Sequence, residues 1–133
     1  MKIGYISPID PFRDRKAWSG TYFSTREALE NAGNTVEWIS YNSSSIWIKL
    51  SYKLYRFIFG KVGNVTHFRL VGWLKAKSIR KNLDEYDILF IPGQSELVGY
   101  LKTVTPIIYY SDTTVPLMIN YYWFDFSNKA IKE

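Results

Sequence analysis

Short apolar runs alternate along this chain with stretches whose apolar residues recur every three or four positions. Residues 2–7 (Lys2-Ile3-Gly4-Tyr5-Ile6-Ser7) form such a run, stopped by Pro8, and read as a buried strand. A polar loop over 8–20 follows, with two prolines and five charges. Residues 21–32 then place Phe23, Ala28, Leu29 and Ala32 on one side of a helix, and Gly33 supplies its stop. Val36 and Trp38 alternate through a second strand over 35–40. Two helices are predicted next, over 46–59 and 65–83, split by two glycines within 60–64. Residues 86–91 form the clearest strand, closed by Pro92-Gly93. Ser95 can cap a short helix reaching 101, a strand follows over 106–110, and 113–123 reads as a loop leading into a helix.

Buried strands alternating with helices predict an α/β fold, a Rossmann-like three-layer sandwich with a mainly parallel sheet and right-handed crossovers. Ligands of such sheets bind beyond the carboxyl ends of the strands. That rule points to the loops at 7–20, 92–95 and 111–116.

The 133 residues predict one domain with a core that needs no covalent staples. Cysteine is absent, which excludes disulfides, thiol nucleophiles and thiolate metal sites, and suits a reducing compartment. A single histidine, His67, rules out a histidine-rich metal site. Pro8 and Asp10 arrive too early for a secretory apolar region. The longest greasy stretch, 46–59, is fourteen residues broken by three cations, against the roughly 20 apolar residues that span a bilayer.

Charge changes the picture most. Nine basic residues and no acidic one fall between 41 and 83, while the rest of the chain holds eight basic and twelve acidic residues. In 46–59, Lys49, Lys53 and Arg56 fall at i, i+4 and i+7, a single stripe on a helix otherwise apolar and carrying Trp47. Arg69, Lys77, Arg80 and Lys81 continue the segment. Such a segment, over 41–84, suits an anionic membrane surface. Its rivals are a solvated basic face over ordinary core aromatics, and a nucleic-acid surface, which is disfavoured.

The crevice loops hold the candidate chemistry. Trp18-Ser19-Gly20-Thr21 precedes the first helix, where backbone N–H groups bind anions and hydroxyl oxygens; the alternative is a plain N-cap. Asp10, Arg13, Asp14, Arg15 and Lys16 orient a polar substrate or form a solvated surface. Ser111-Asp112-Thr113-Thr114 places a carboxylate beside hydroxyls at a strand end, fit to accept from a sugar hydroxyl or take a proton, or to cap the next helix. Gln94, Ser95 and Glu96 lie on the neighbouring loop. Neither G-x-G-x-x-G nor G-x-x-x-x-G-K-[ST] occurs, which disfavours dinucleotide and P-loop sites.

In their order along the chain, these pieces resemble the N-terminal, acceptor-binding domain of a GT-B glycosyltransferase of the retaining family 4 type. Residues 2–7 with Pro8 and Asp10-Pro11 resemble the family's first strand and loop. Trp18-Ser19-Gly20-Thr21 resembles its small-residue loop. Residues 28–36 (ALENAGNTV) are similar to its "AL…AGHEV" transition, and Tyr110-Ser111-Asp112-Thr113-Thr114 with Asn120-Tyr121-Tyr122 resembles a "D-A-T … Y-Y" segment. The resemblance implies transfer of a sugar from a nucleotide-sugar to a glycan or lipid-linked acceptor, with retention and without a metal. Acceptor contacts then fall to Ser19, Gly20, Thr21, Arg13, Gln94 and Thr113, and Asp112 stands as a hydroxyl contact or base. No cofactor is expected in this domain. The nucleotide-sugar belongs to a C-terminal donor domain, which the chain ending at Glu133 lacks together with the family's E-x7-E motif, so the fragment alone is expected to be inactive. The implied location is cytoplasmic, peripheral at the inner membrane face. The alternatives from other classes are a stand-alone flavodoxin- or Rossmann-like binding module and a basic nucleic-acid-binding domain.

Overall fold

A computed structural model describes residues 1–60 and 68–112. Four strands, β1 (Lys2–Ile6), β2 (Thr35–Ile39), β3 (Ile88–Pro92) and β4 (Ile107–Tyr110), form one all-parallel sheet in the order β2-β1-β3-β4. Parallel neighbours require crossovers, and four helices supply them: α1 (Thr21–Asn31), α2 (Ile46–Phe59), α3 (Arg69–Lys77) and α4 (Ser95–Val98). The result is the Rossmann-like α/β arrangement expected from the alternation.

Strand periodicity divides the core. Ile6, Ile39, Leu89 and Ile91 face one side, where Tyr41, Leu83, Tyr86 and Leu97 cover them. Ile3, Tyr5, Val36 and Phe90 face the other, against Tyr22 of α1. Side chains alternate across a strand, so a fully covered sheet needs both faces apolar, as these short runs are. A third cluster stands apart from the sheet. Ile48 and Tyr55 of α2 pack on Phe68 and Val71 at α3, so the basic excursion has a small core of its own.

Two contacts fasten that excursion to the sheet. Gly72 of α3 lies against α4 so closely that a Cβ there would stand 2.4 Å from the carbonyl oxygen of Glu96. One turn on, the Lys75 ammonium meets the Glu96 carboxylate at 2.7 Å, with the two side chains only 6% and 4% exposed. Lys75 therefore neutralises an internal acid and does not belong to the outward charge of the basic segment.

Element ends follow side-chain competition for the backbone. Ser45 caps α2 by accepting from the Ile48 N–H, and Gly60 ends it, as the glycine signal predicts. The predicted second helix is shorter than 65–83: within the described residues it runs from Arg69 to Lys77. Ser78 stops it, because its hydroxyl donates to the Lys75 carbonyl and accepts from the Asn42 N–H. A separate 3-10 turn, Leu83–Glu85, opens at Asn82, whose side chain accepts from the Asp84 N–H. Ser95 does not cap α4: Gln94 occupies the cap position without a side-chain bond, and the helix ends at Val98. His67 and the segment at 113–123 lie outside the described residues.

A buried pair that loses one member leaves a charge without compensation, at a cost of about 3–5 kcal/mol. Glu96→Gln is expected to destabilise the chain by about 3 kcal/mol in urea unfolding. Lys75→Met with Glu96→Leu should recover most of that loss, since paired apolar replacement is often neutral.

Acid should also weaken the fold. The Lys81 ammonium beside Glu37, and the Thr103 hydroxyl with the Val104 N–H on Asp84, hold both carboxyls below their ordinary values of 4.5 and 3.8. A depressed folded value means stability that is complete above the ordinary value and lost as pH falls through the folded one. Tm should therefore fall as pH drops below about 4.5, and Asp84→Asn should flatten that profile.

Candidate functional site

The carboxyl ends of β1, β3 and β4 converge with the start of α1, and aromatic rings join them. Trp18 packs against Tyr22 with centroids 5.5 Å apart and against Tyr110 at 6.2 Å. Tyr110 in turn stacks on Phe90, and Phe90 lies against Tyr5. The Trp18 ring also covers Gly93, where a Cβ would stand 3.1 Å from two ring carbons. Gly93 has a φ of 69° and donates its N–H to the Tyr110 carbonyl at 2.8 Å, so the backbone there is drawn under the indole.

The loop before α1 is strained. Trp18, Ser19 and Gly20 have successive φ values of 47°, 54° and 86°. Left-handed backbone costs a non-glycine residue on the order of 1 kcal/mol, and two such residues in a row persist only where surroundings hold them. Packing of Trp18 on Gly93, Tyr22 and Tyr110 is that hold. Neither Ser19 nor Thr21 caps α1. Gly20 takes the cap position with no side-chain hydrogen bond, so the plain N-cap alternative fails and the helix start carries no side-chain acceptor of its own.

The loop acids serve the loop. Asp10 accepts from the Phe12 N–H, and Asp14 accepts from the Lys16 and Ala17 N–H groups. Arg13 is 89% exposed and reaches Asp10 at 3.6 Å. Arg26, which sequence reasoning missed, anchors the loop from beneath. It pairs with Glu30 at 2.6 Å, donates to the Pro11 carbonyl, and stacks on Phe12 and Phe23. Its i,i+4 spacing from Glu30 was the available signal.

Gln94 bridges two tyrosines. Its amide nitrogen donates to the Tyr22 hydroxyl at 3.0 Å, and its amide oxygen accepts from the Tyr41 hydroxyl. Burial pushes all three tyrosines of this region up: Tyr5 to about 12, and Tyr22 and Tyr41 above their ordinary value. They are hydrogen-bonding hydroxyls at neutral pH and not bases. Asp112 is exposed beyond β4, with no ion pair or side-chain hydrogen bond among the described residues. Thr113 lies outside the described residues. Thus the structure gathers Ser19, Gly20, Thr21 and Gln94 around the strand ends, and leaves Arg13 in solvent.

The basic residues part into three groups. Lys49, Lys53 and Arg56 are exposed on α2. Lys81 holds Glu37 and the Trp38 carbonyl, and that carboxylate raises its pKa. Lys77 lies 4.7 Å above the Trp73 ring. With Arg80 they line a pocket of about 540 Å³ between the end of β2 and the end of α3. Arg69 and Trp47 are exposed.

Among the described residues no group of three or more His, Cys, Asp or Glu is placed to hold a metal, and no helix is long and apolar enough to cross a membrane. No family model, curated protein or solved structure matches the chain.

If the indole is what imposes the left-handed backbone, Ser19→Gly should stabilise the chain by about 0.5–1 kcal/mol. Gly93→Ala should destabilise it, and combining Gly93→Ala with Trp18→Ala should cost less than the separate losses added, read from urea-unfolding midpoints.

Proposed function

We propose that this chain is the acceptor-binding domain of a glycosyltransferase with the GT-B fold, held against an anionic membrane by α2. A parallel sheet whose carboxyl edge carries a strained small-residue loop before α1 suits an acceptor site. Ser19, Gly20 and Thr21 contact the acceptor, and Asp112 accepts from or deprotonates its hydroxyl. Donor nucleotide-sugar belongs on a separate domain, so this one alone does not turn over.

The face of α2 carries the membrane part of the reading. At about 100° per residue, its surface divides into three arcs. Ile48, Ser51 and Tyr55 face α3 and are buried. Ile46, Trp47, Leu50, Leu54, Phe57 and Ile58 lie on the adjoining arc and are exposed, Phe57 at 89%. Lys49, Lys53 and Arg56 fill the remaining arc. A second apolar face, bordered on one side by cations and with no acid on the helix, has the form of an interfacial helix. Nucleic acid accounts for it less well. Bases stack on aromatic rings, whereas four of the six exposed apolar residues are aliphatic. The acceptor then lies on or near that membrane, on the cytoplasmic side.

Each basic residue near an anionic leaflet contributes about 1 kcal/mol. Lys49→Gln, Lys53→Gln and Arg56→Gln together should lower the partition onto phosphatidylserine vesicles by about two orders of magnitude. Unchanged co-sedimentation would remove α2 from the membrane. Calorimetry with UDP- and GDP-sugars should show no micromolar binding to this chain; such binding would overturn the acceptor-domain assignment.

A further inference from the structure

A pocket beside β2 lies apart from the loop before α1. Its walls are Ser40, Tyr41 and Asn42 on one side and the end of α3 with Arg80 and Lys81 on the other. Three basic side chains line it and no carboxylate does. Elsewhere this fold pairs its inward cations with acids: Lys75 with Glu96, Arg26 with Glu30. Here only Lys81 has a carboxylate partner, Glu37, which sits outside the lining and is shared with Lys2. Arg80 and Lys77 have no acidic partner among the described residues, so the concavity keeps an uncompensated positive charge.

Contacts within the protein hold every lining side chain but those of Ser40 and Arg80, although the basic rim is open to solvent. Ser78 ties the walls together, accepting from the Asn42 N–H at 2.8 Å and donating to the Lys75 carbonyl at 2.6 Å. Tyr41 is buried and tied to Gln94. The Trp73 ring holds the Lys77 ammonium, and Glu37 with the Trp38 carbonyl holds that of Lys81. A guanidinium offers a planar fork that matches a tetrahedral oxyanion, and the Lys77 ammonium adds a second charge that no carboxylate already holds. Ser40 and Asn42 add polar groups for whatever the anion is attached to. At about 540 Å³ the pocket exceeds a bare phosphate and accommodates a small polyol with it.

We propose that this pocket binds a phosphomonoester on a small polyol, borne by a lipid headgroup or by a soluble molecule. The site rests on the pocket alone and stands whether or not the chain belongs to a glycosyltransferase. It also differs from the membrane contact of α2, which uses diffuse charge and buried apolar area and no enclosed anion.

The test titrates the full chain with glycerol 3-phosphate and with inorganic phosphate, reading backbone amide resonances. Saturable shifts centred on Ser40, Asn42 and Ser78 are expected. Lys77→Gln with Arg80→Gln should weaken binding by at least about tenfold, the loss of charge-assisted hydrogen bonds. The Lys49, Lys53 and Arg56 triple Gln variant should bind glycerol 3-phosphate as the parent does. Vesicles then separate the sources. Preference for phosphatidic acid over phosphatidylserine at equal surface charge, lost in the double variant, assigns a lipid headgroup. Glycerol 3-phosphate binding without that preference assigns a soluble ligand. Absence of shifts at the pocket together with no phosphatidic acid preference overturns the site. So does equal loss of glycerol 3-phosphate binding in the triple variant, which would mean unspecific charge. Should the double variant misfold, the location of the shifts in the parent chain decides alone.

Discussion

The helical excursion between β2 and β3 is fastened to α4, and so to the sheet, by the contacts of Gly72 and Lys75 with Glu96. Without a side chain at 72, α3 closes onto the backbone of α4. That approach removes water from Lys75 and Glu96, which then must find each other. A buried ion pair adds little net stability compared with apolar packing. It does specify register, because sliding α3 by a turn would bury both charges separately. The sheet places α4, α4 places α3, and α3 places α2 through Ile48, Tyr55, Phe68 and Val71. The exposed face of α2 thereby has a fixed direction relative to the strand ends, which a loosely tethered amphipathic helix would lack.

The described cations of the segment 41–83 consequently differ in their surroundings. Lys75 points inward and holds the architecture. Lys77, Arg80 and Lys81 surround a concavity. Lys49, Lys53 and Arg56 lie on open surface beside exposed apolar residues. The same residue types therefore operate in two dielectric settings, buried for Lys75 and exposed for the others, and their interaction strengths differ accordingly: strong where water is excluded, screened within about 10 Å where it is not.

Most of the architecture was legible in the sequence, for a physical reason. Short apolar runs such as residues 2–7 and 86–91 admit few readings when proline closes them, and the period of 46–59 with the glycines that follow reads as a helix; its Ser45 cap emerged only in the structure. The parallel arrangement followed from alternation. What escaped was long-range. Nothing near Lys75 in sequence reveals Glu96, twenty-one positions away. The left-handed backbone of Trp18 and Ser19 is imposed by Gly93, Tyr22 and Tyr110, and no local propensity announces it. Gln94 looked available to a ligand because its partners, Tyr22 and Tyr41, come from two other elements. The end of α3 was misplaced because Ser78 acts through Asn42, across the sheet edge.

Gln94 also bears on how the two sites relate. Its amide joins Tyr22, at the strand ends, to Tyr41, in the wall of the basic pocket. An amide that donates at one end and accepts at the other cannot release one tyrosine without leaving a partly buried polar group unsatisfied, which costs about 1–3 kcal/mol. Rotation of Tyr41 to admit a bulky ligand would therefore be felt at Tyr22, and through Tyr22 at Trp18 and the strained loop. Conversely, a ligand at the strand ends that drew the Gln94 amide away from the Tyr22 oxygen would loosen the pocket wall. Coupling between the pocket wall and the strand ends has a short route through this amide, and Tyr41→Phe removes the Tyr41 hydroxyl from it while keeping the buried ring.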